Sequence, residues 1–253
     1  MLKLLKRIFY KFFPSAHASA FIRLVYLGKF LKNFNFKKAL DAGCGPGLFT
    51  FFVAEKFPES QIVGYDISHE DIEKCEKEKH EKKINNVTFH RTSLLELSDE
   101  EEYDFIYSID VLEHIKGNKK VIKNIYNALK PGGTLYLAMP DETNHRFIFS
   151  KNKHIQNYIK WTESEHKGDQ YSLNELSKLL EETGFRIVMR KHTFGFFGKL
   201  AWELDMMTDN CISLKHLIQP FIFISGYLDT FCKNRPGSYG VLVIGKKDAS
   251  RKS

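Results

Sequence analysis

The chain has 253 residues, 43% of them hydrophobic and 27% charged, the make-up of a folded domain and not of a disordered or fibrous chain. Its four cysteines (Cys44, Cys75, Cys211, Cys232) lie far apart with no Cys-x-x-Cys pair. That argues against a disulfide framework or a zinc ribbon and suits a reducing, cytoplasmic setting. The net charge of +7 is gathered at one end: residues 1–40 hold nine Lys or Arg and no acid, against 29 basic and 31 acidic residues elsewhere. A nucleic-acid footprint spread over the body is therefore disfavoured.

In chain order, Leu2, Leu5, Ile8, Phe9 and Phe12 recur at helical spacing, with Lys3, Lys6, Arg7 and Lys11 opposite and Pro14 ending the run. Such a segment suits contact with a membrane surface, but also a helix packed over a pocket, or a targeting peptide (mitochondrial in a eukaryote). Ala16-His17-Ala18 and Ala18-Ser19-Ala20 look like signal-peptidase sites, yet the preceding apolar run is short and Lys11 interrupts it. Residues 15–35 read as a further helix, so 1–35 is expected to form a helical arm ahead of a domain at 36–253.

From Lys38 the period changes. Strands are predicted at 38–41, 61–65, 86–90, 104–108, 134–139, 185–191 and 239–245, and helices at 48–57, 69–83, 119–129 and 172–183. Residues 141–168 read as a long polar connection with some helical character, and 194–236 as a helical, apolar-rich insertion before the last strand, whose run 217–228 is broken by Gln219 and Pro220 and is too short to cross a bilayer. The alternation predicts an α/β, Rossmann-like, mostly parallel sheet with helices on both faces.

The first strand runs into Asp41-Ala42-Gly43-Cys44-Gly45-Pro46-Gly47, a loop where absent side chains let backbone approach a bound cofactor. Asp66 at the tip of the second strand can accept both hydroxyls of a ribose. The stretch Tyr103–Ile115, with Leu112-Glu113-His114, and the run Leu129-Lys130-Pro131-Gly132-Gly133 follow. Together these four ordered motifs resemble class I S-adenosylmethionine-dependent methyltransferases, above all the ubiquinone/menaquinone-type small-molecule enzymes. The resemblance covers Phe36–Met139 strongly and Ser172–Lys191 weakly.

The resemblance implies S-adenosylmethionine as cofactor, with S-adenosylhomocysteine as product. Asp41, Gly43, Cys44, Gly45 and Gly47 would hold its methionine end, Asp66 the ribose, Ile67 the adenine face, Ser93 and Leu94 the adenine edge, and Ser108 and Ile109 the floor near the methyl. The family commonly has Asp where Ser93 stands; a serine accepts a hydrogen bond without charge. Candidate bases are His114 after the fourth strand, His145 after the fifth, and His166 before the helix at 172–183, which Ser172 and Glu175 start at capping-box spacing. Glu163, Glu165 and His166 read more readily as a solvated loop than as a metal site.

The expected activity is methyl transfer to an O, N or C nucleophile of a small, hydrophobic or lipid-linked acceptor, by a monomer or homodimer that contacts a membrane surface. An RNA methyltransferase is the first rival, weakened by Asp110-Val111-Leu112 standing where an Asn/Asp-Pro-Pro-Tyr motif would be. A non-catalytic binding module of the same fold is the second.

Overall fold

The computed structural model describes residues 17–141, 147–208, 212–233 and 235–249. The 1–13 stripe and His145 lie outside the described residues. Seven strands form one sheet: β1 (Lys38–Ala42), β2 (Gln61–Asp66), β3 (Val87–Arg91), β4 (Tyr103–Ile109), β5 (Leu129–Pro140), β6 (Phe185–Thr193) and β7 (Gly240–Lys247). Their order is β3-β2-β1-β4-β5-β7-β6, with β1 to β5 parallel and β7 antiparallel to both its neighbours. The inner strands are apolar without alternation because both of their faces are covered: Ala39, Leu40, Phe105, Ile106 and Tyr107 are all fully buried.

The covering helices are α1 (Ala18–Phe30), α2 (Leu48–Lys56), α3 (His69–Lys82), α4 (Asn118–Ala128), α5 (Lys153–Glu165), α6 (Leu173–Thr183), α7 (Phe196–Thr208) and α8 (Ile212–Asp229). One core joins α1, α2, α7, α8 and Cys75 of α3 to the sheet, through Phe21, Leu24, Phe51, Phe105, Trp202 and Phe223. The other lies under α4 and α6 and contains Leu40, Ile106, Val121, Ile125, Leu176 and Leu180. Helix α1, part of the expected arm, packs into the first core: Phe30 reaches Phe105 and Tyr136, with ring centroids 5.8 and 5.4 Å away.

Beyond shifts of a few residues at element ends, three readings differ from expectation. Strand β5 begins at Leu129, because Leu129 pairs with Tyr103 and a register shift then realigns Thr134 with Phe105. The polar connection contains a full helix, α5, capped by Asn152, whose side chain accepts from His154 N at 2.9 Å. Pro220 does not break the insertion: α8 runs through it. Proline removes one helical N–H, and packing on α1 holds the next turns, with Phe223 edge-on to Phe21 at 4.5 Å. Among the described residues no helix is long and apolar enough to cross a membrane.

Candidate active site

The loop after β1 is shaped by its neighbours. Gly43 has φ 88°, and a Cβ there would stand 2.5 Å from the Val111 side chain, so no other residue fits. The amides of Gly43 and Cys44 both donate to Tyr65 O at 2.9 Å. Gly45 N donates to Asp66 Oδ2 at 2.7 Å and Ser68 N to Asp66 Oδ1 at 2.9 Å, which fixes the carboxylate at the mouth of the loop. Each carboxylate oxygen keeps a second lone pair for a ligand.

In front of this loop lies a cavity of about 700 Å3, well within the range of small-molecule sites. Of the expected cofactor residues, Gly43, Gly45, Asp66, Ile67, Ser93 and Leu94 line it. Ile67 is 67% exposed, an apolar face open to a ring. The Ser93 hydroxyl accepts from Leu95 N at 3.3 Å, capping a short turn.

Five of the expected residues do not line this cavity. Asp41 is buried behind the loop, accepting from the Thr50 hydroxyl at 2.6 Å, and burial pushes its carboxyl up to about 7. Cys44 is buried, and Gly47 starts α2 against Phe51 and Cys75. Ser108 and Ile109 do not line it either. Both are still within β4, where Ser108 Oγ donates to Ala42 O at 2.8 Å and Ile109 joins the core. The chain leaves the sheet only at Asp110, and Asp110 and Val111 line the cavity instead.

A second, smaller cavity of about 180 Å3 adjoins the first, and Asp110 and His114 line both. Its walls are aromatic: Tyr158 and Trp161 from α5, Phe194, Trp202 from α7, and Tyr239. Trp202 stacks on Tyr239 at 4.4 Å, and the Tyr158 and Tyr239 hydroxyls are hydrogen-bonded. At one end Arg23 of α1, fully buried, donates to Asp110 from Nε at 3.1 Å and from Nη2 at 2.6 Å. Its guanidinium also lies 4.8 Å from the centre of the Phe194 ring. Asp110 and Phe194 both have φ 55°, a conformation that costs energy for a non-glycine residue. Arg23 ties these two strained positions together, and Asp229 accepts from Phe194 N at 2.9 Å.

The histidines meet here. Gly168 N donates to Glu113 O at 2.7 Å, and a Cβ on Gly168 would collide with Leu112 O. The loop after α5 is thus laid against the Leu112–His114 turn, and Asn118 fastens both by donating to Leu112 O and Asp169 O. As a result the rings of His114 and His166 stand 4.7 Å apart at 85°. His114 Nδ1 faces Glu165 O at 3.3 Å; a carbonyl only accepts, so Nδ1 carries the hydrogen and Nε2 keeps the lone pair. Burial, with a smaller contribution from His166, lowers the His114 pKa and favours the neutral ring. Ligand atoms of Glu113, His114 and His166 lie within 4.8 Å of one another, close enough to share a cation; Glu163 and Glu165 are not in that group.

Sequence reasoning missed Arg23, Asp110 and the aromatic walls. One signal was present: Arg23 interrupts the apolar run Phe21-Ile22-Arg23-Leu24-Val25, and a base inside a buried stripe needs a partner.

A family model described as a methyltransferase domain matches residues 34–184. The chain belongs to this methyltransferase-domain family. Among curated relatives it is 30% identical over 161 residues to a malonyl-[acyl-carrier protein] O-methyltransferase of Priestia megaterium, covering 61% of this chain and 55% of the relative. It is 21% identical over 131 residues to a ubiquinone biosynthesis O-methyltransferase of Acinetobacter baylyi, covering 51% and 54%. The matches thus span about half the length of these relatives. Among solved structures, phosphoethanolamine N-methyltransferase 2 of Haemonchus contortus in complex with S-adenosyl-L-methionine aligns with a TM-score of 0.65 at 21% identity. That alignment covers 89% of this chain and 52% of that one, and shows the shared fold.

Proposed function

We propose that the protein transfers a methyl group from S-adenosylmethionine to an oxygen, nitrogen or carbon nucleophile on a small acceptor with an apolar body. The observation that carries this reading is the pair of cavities meeting at Asp110 and His114. The larger fits a nucleoside with an amino-acid arm. A Cβ at Gly45 would meet no protein atom within 4 Å, Asp66 has acceptor capacity for two ribose hydroxyls, and Ile67 offers a purine an apolar face. When bound, the cofactor supplies an electrophilic methyl on a sulfonium.

The chain's own residues do the rest. Aromatic walls desolvate the acceptor and hold it in line, where proximity supplies much of the rate. The neutral His114 ring takes a proton at Nε2 from an alcohol-type nucleophile. Asp110, held by Arg23, sets the boundary between the two chambers. The aromatic lining supports an acceptor that is hydrophobic, such as an isoprenoid, a quinone precursor or a lipid-linked molecule.

The test is incubation with labelled S-adenosylmethionine and separate RNA, lipid and small-molecule extracts. Label is expected in the lipid or small-molecule fraction, and much less of it with His114→Gln. Label in RNA would favour the nucleic-acid rival. Calorimetric heat from S-adenosylhomocysteine with no label anywhere would favour a binding module, and heat from NAD alone would reverse the cofactor assignment.

A further inference from the structure

We propose that the outer face of α8 docks on a membrane surface carrying anionic phospholipid headgroups. This stands apart from the chemistry assigned above, because none of the residues involved lines either cavity. Leu214, Leu217, Phe221, Ile224 and Leu228 of α8, with Phe231 just beyond it, are spaced alternately three and four residues apart. That spacing places them in one stripe along the helix, and all six are exposed, Leu217 by 77% and Phe231 by 64%. The opposite face, with Ile222, Phe223 and Gly226, is already packed on α1 and α7. An apolar strip of this extent on a soluble body marks a contact surface.

The charges select the occupant. Every described acid between Phe194 and Lys247 is buried and turned to backbone amides. Glu203 accepts from Ile148 N and Phe149 N, Asp205 from Ala18 N, and Asp229 from Phe194 N and Gly198 N. Among the described residues, the outer surface of the insertion therefore presents no carboxylate, while bases gather at its Phe231 end. There the exposed Lys233 and Arg235, with Lys199, border a hollow of about 480 Å3 whose rim carries the exposed Phe196. Lys29 Nζ lies 3.2 Å from the centre of the Phe231 ring.

An apolar stripe ending in an acid-free cationic hollow is complementary to an acyl boundary and the phosphates above it. A second copy docked through this same face would bring no described carboxylate to meet those bases. Residues 1–13, with four bases and no acid, would bring none either.

The whole 253-residue chain is sedimented with vesicles of phosphatidylcholine alone or with phosphatidylglycerol, at low and high salt. Retention on the anionic vesicles at low salt, fading as salt rises, is expected. The double variant Phe221→Asn/Ile224→Asn should weaken it at least about tenfold, through lost apolar burial. Lys233→Gln/Arg235→Gln should weaken it about thirtyfold, from two bases near the surface. Both variants should keep the wild-type melting temperature. No retention at low salt overturns the proposal, as does retention that ignores both variants. So does a dimer, dissolved by the Phe221/Ile224 variant, that vesicles do not retain. Retention abolished by deleting residues 1–13 but indifferent to α8 overturns it as well.

Discussion

Asp41 and Asp66 stand at the ends of adjacent strands, and their surroundings give them opposite tasks. Asp66 faces the larger cavity and already accepts two backbone hydrogen bonds. Asp66→Ala removes a charged acceptor for two ribose hydroxyls and should weaken binding of S-adenosylhomocysteine by about 2 kcal/mol or more, roughly thirtyfold, by calorimetry. An unchanged affinity would remove Asp66 from the binding site. Asp41 has the reverse character, since burial outweighs the Thr50 hydroxyl and its carboxyl titrates near 7. The folded chain therefore binds a proton that the unfolded chain has released between about pH 4 and 7. The stability tied to that proton is present at low pH and lost as pH rises towards 7. Asp41→Asn does not titrate, so its stability relative to the natural chain should climb from pH 4 to 7 and level off above that. Urea denaturation of the two proteins across this range checks the sign, and a difference that falls with pH would contradict the burial argument.

Between elements, the decisive contact is the one from α1 to the turn after β4. Arg23 and Asp110 are 87 residues apart, and their paired hydrogen bonds join the N-terminal helix to the partition between the cavities. Arg23→Met leaves Asp110 beside an apolar wall and should cost about 3 kcal/mol, the low end for a broken buried pair because Asp110 is partly open to solvent. A double-mutant cycle with Asp110→Asn should show strong coupling, and a loss under about 1 kcal/mol would mean that the pair is not a staple. The apolar run that Arg23 interrupts announces that a partner is needed but not which one, so the pairing with Asp110 was not legible in the sequence. What was legible is what is encoded locally. The glycine loop was readable from residue types alone, and so was the start of α6, where the Ser172 hydroxyl and the Glu175 carboxylate form a complete capping box. Misreadings arose where tertiary contacts overrode local preference: Pro220 is carried through α8 by packing on α1, and β4 runs one residue past the expected end at Ser108 before releasing the chain. His114 and His166 could be named separately, but only tertiary contacts, those of Gly168 and Asn118, bring them together.

For the molecule as a whole, ligand binding and folding are coupled, because the larger cavity draws its wall from the ends of β1, β2, β3 and β4 together. S-adenosylhomocysteine at a hundredfold excess over its dissociation constant should stabilise the fold by about 2.7 kcal/mol. In a chain of this size that corresponds to a rise in melting temperature of roughly 5–10 °C. A scan that shows no shift at saturating ligand would mean that the cavity does not take this ligand.

The position of β7 has a consequence for how the protein is made. Among the described residues, strand β6 has β7 as its only partner in the sheet, and β7 lies between β5 and β6 although the insertion separates it from β6 in the chain. As the chain is translated, β1 to β5 can align and close the glycine loop early. Strand β6 must wait, with its amides unpaired, until the whole insertion and β7 have left the ribosome. During that interval the nascent chain offers an open strand beside the apolar surfaces of α7 and α8, the combination that recruits chaperones and invites pairing with other chains. The last of these seven strands to be synthesised is therefore the one that seals the sheet, and slow synthesis across the insertion should lower the yield of folded protein more than slow synthesis across β1 to β5.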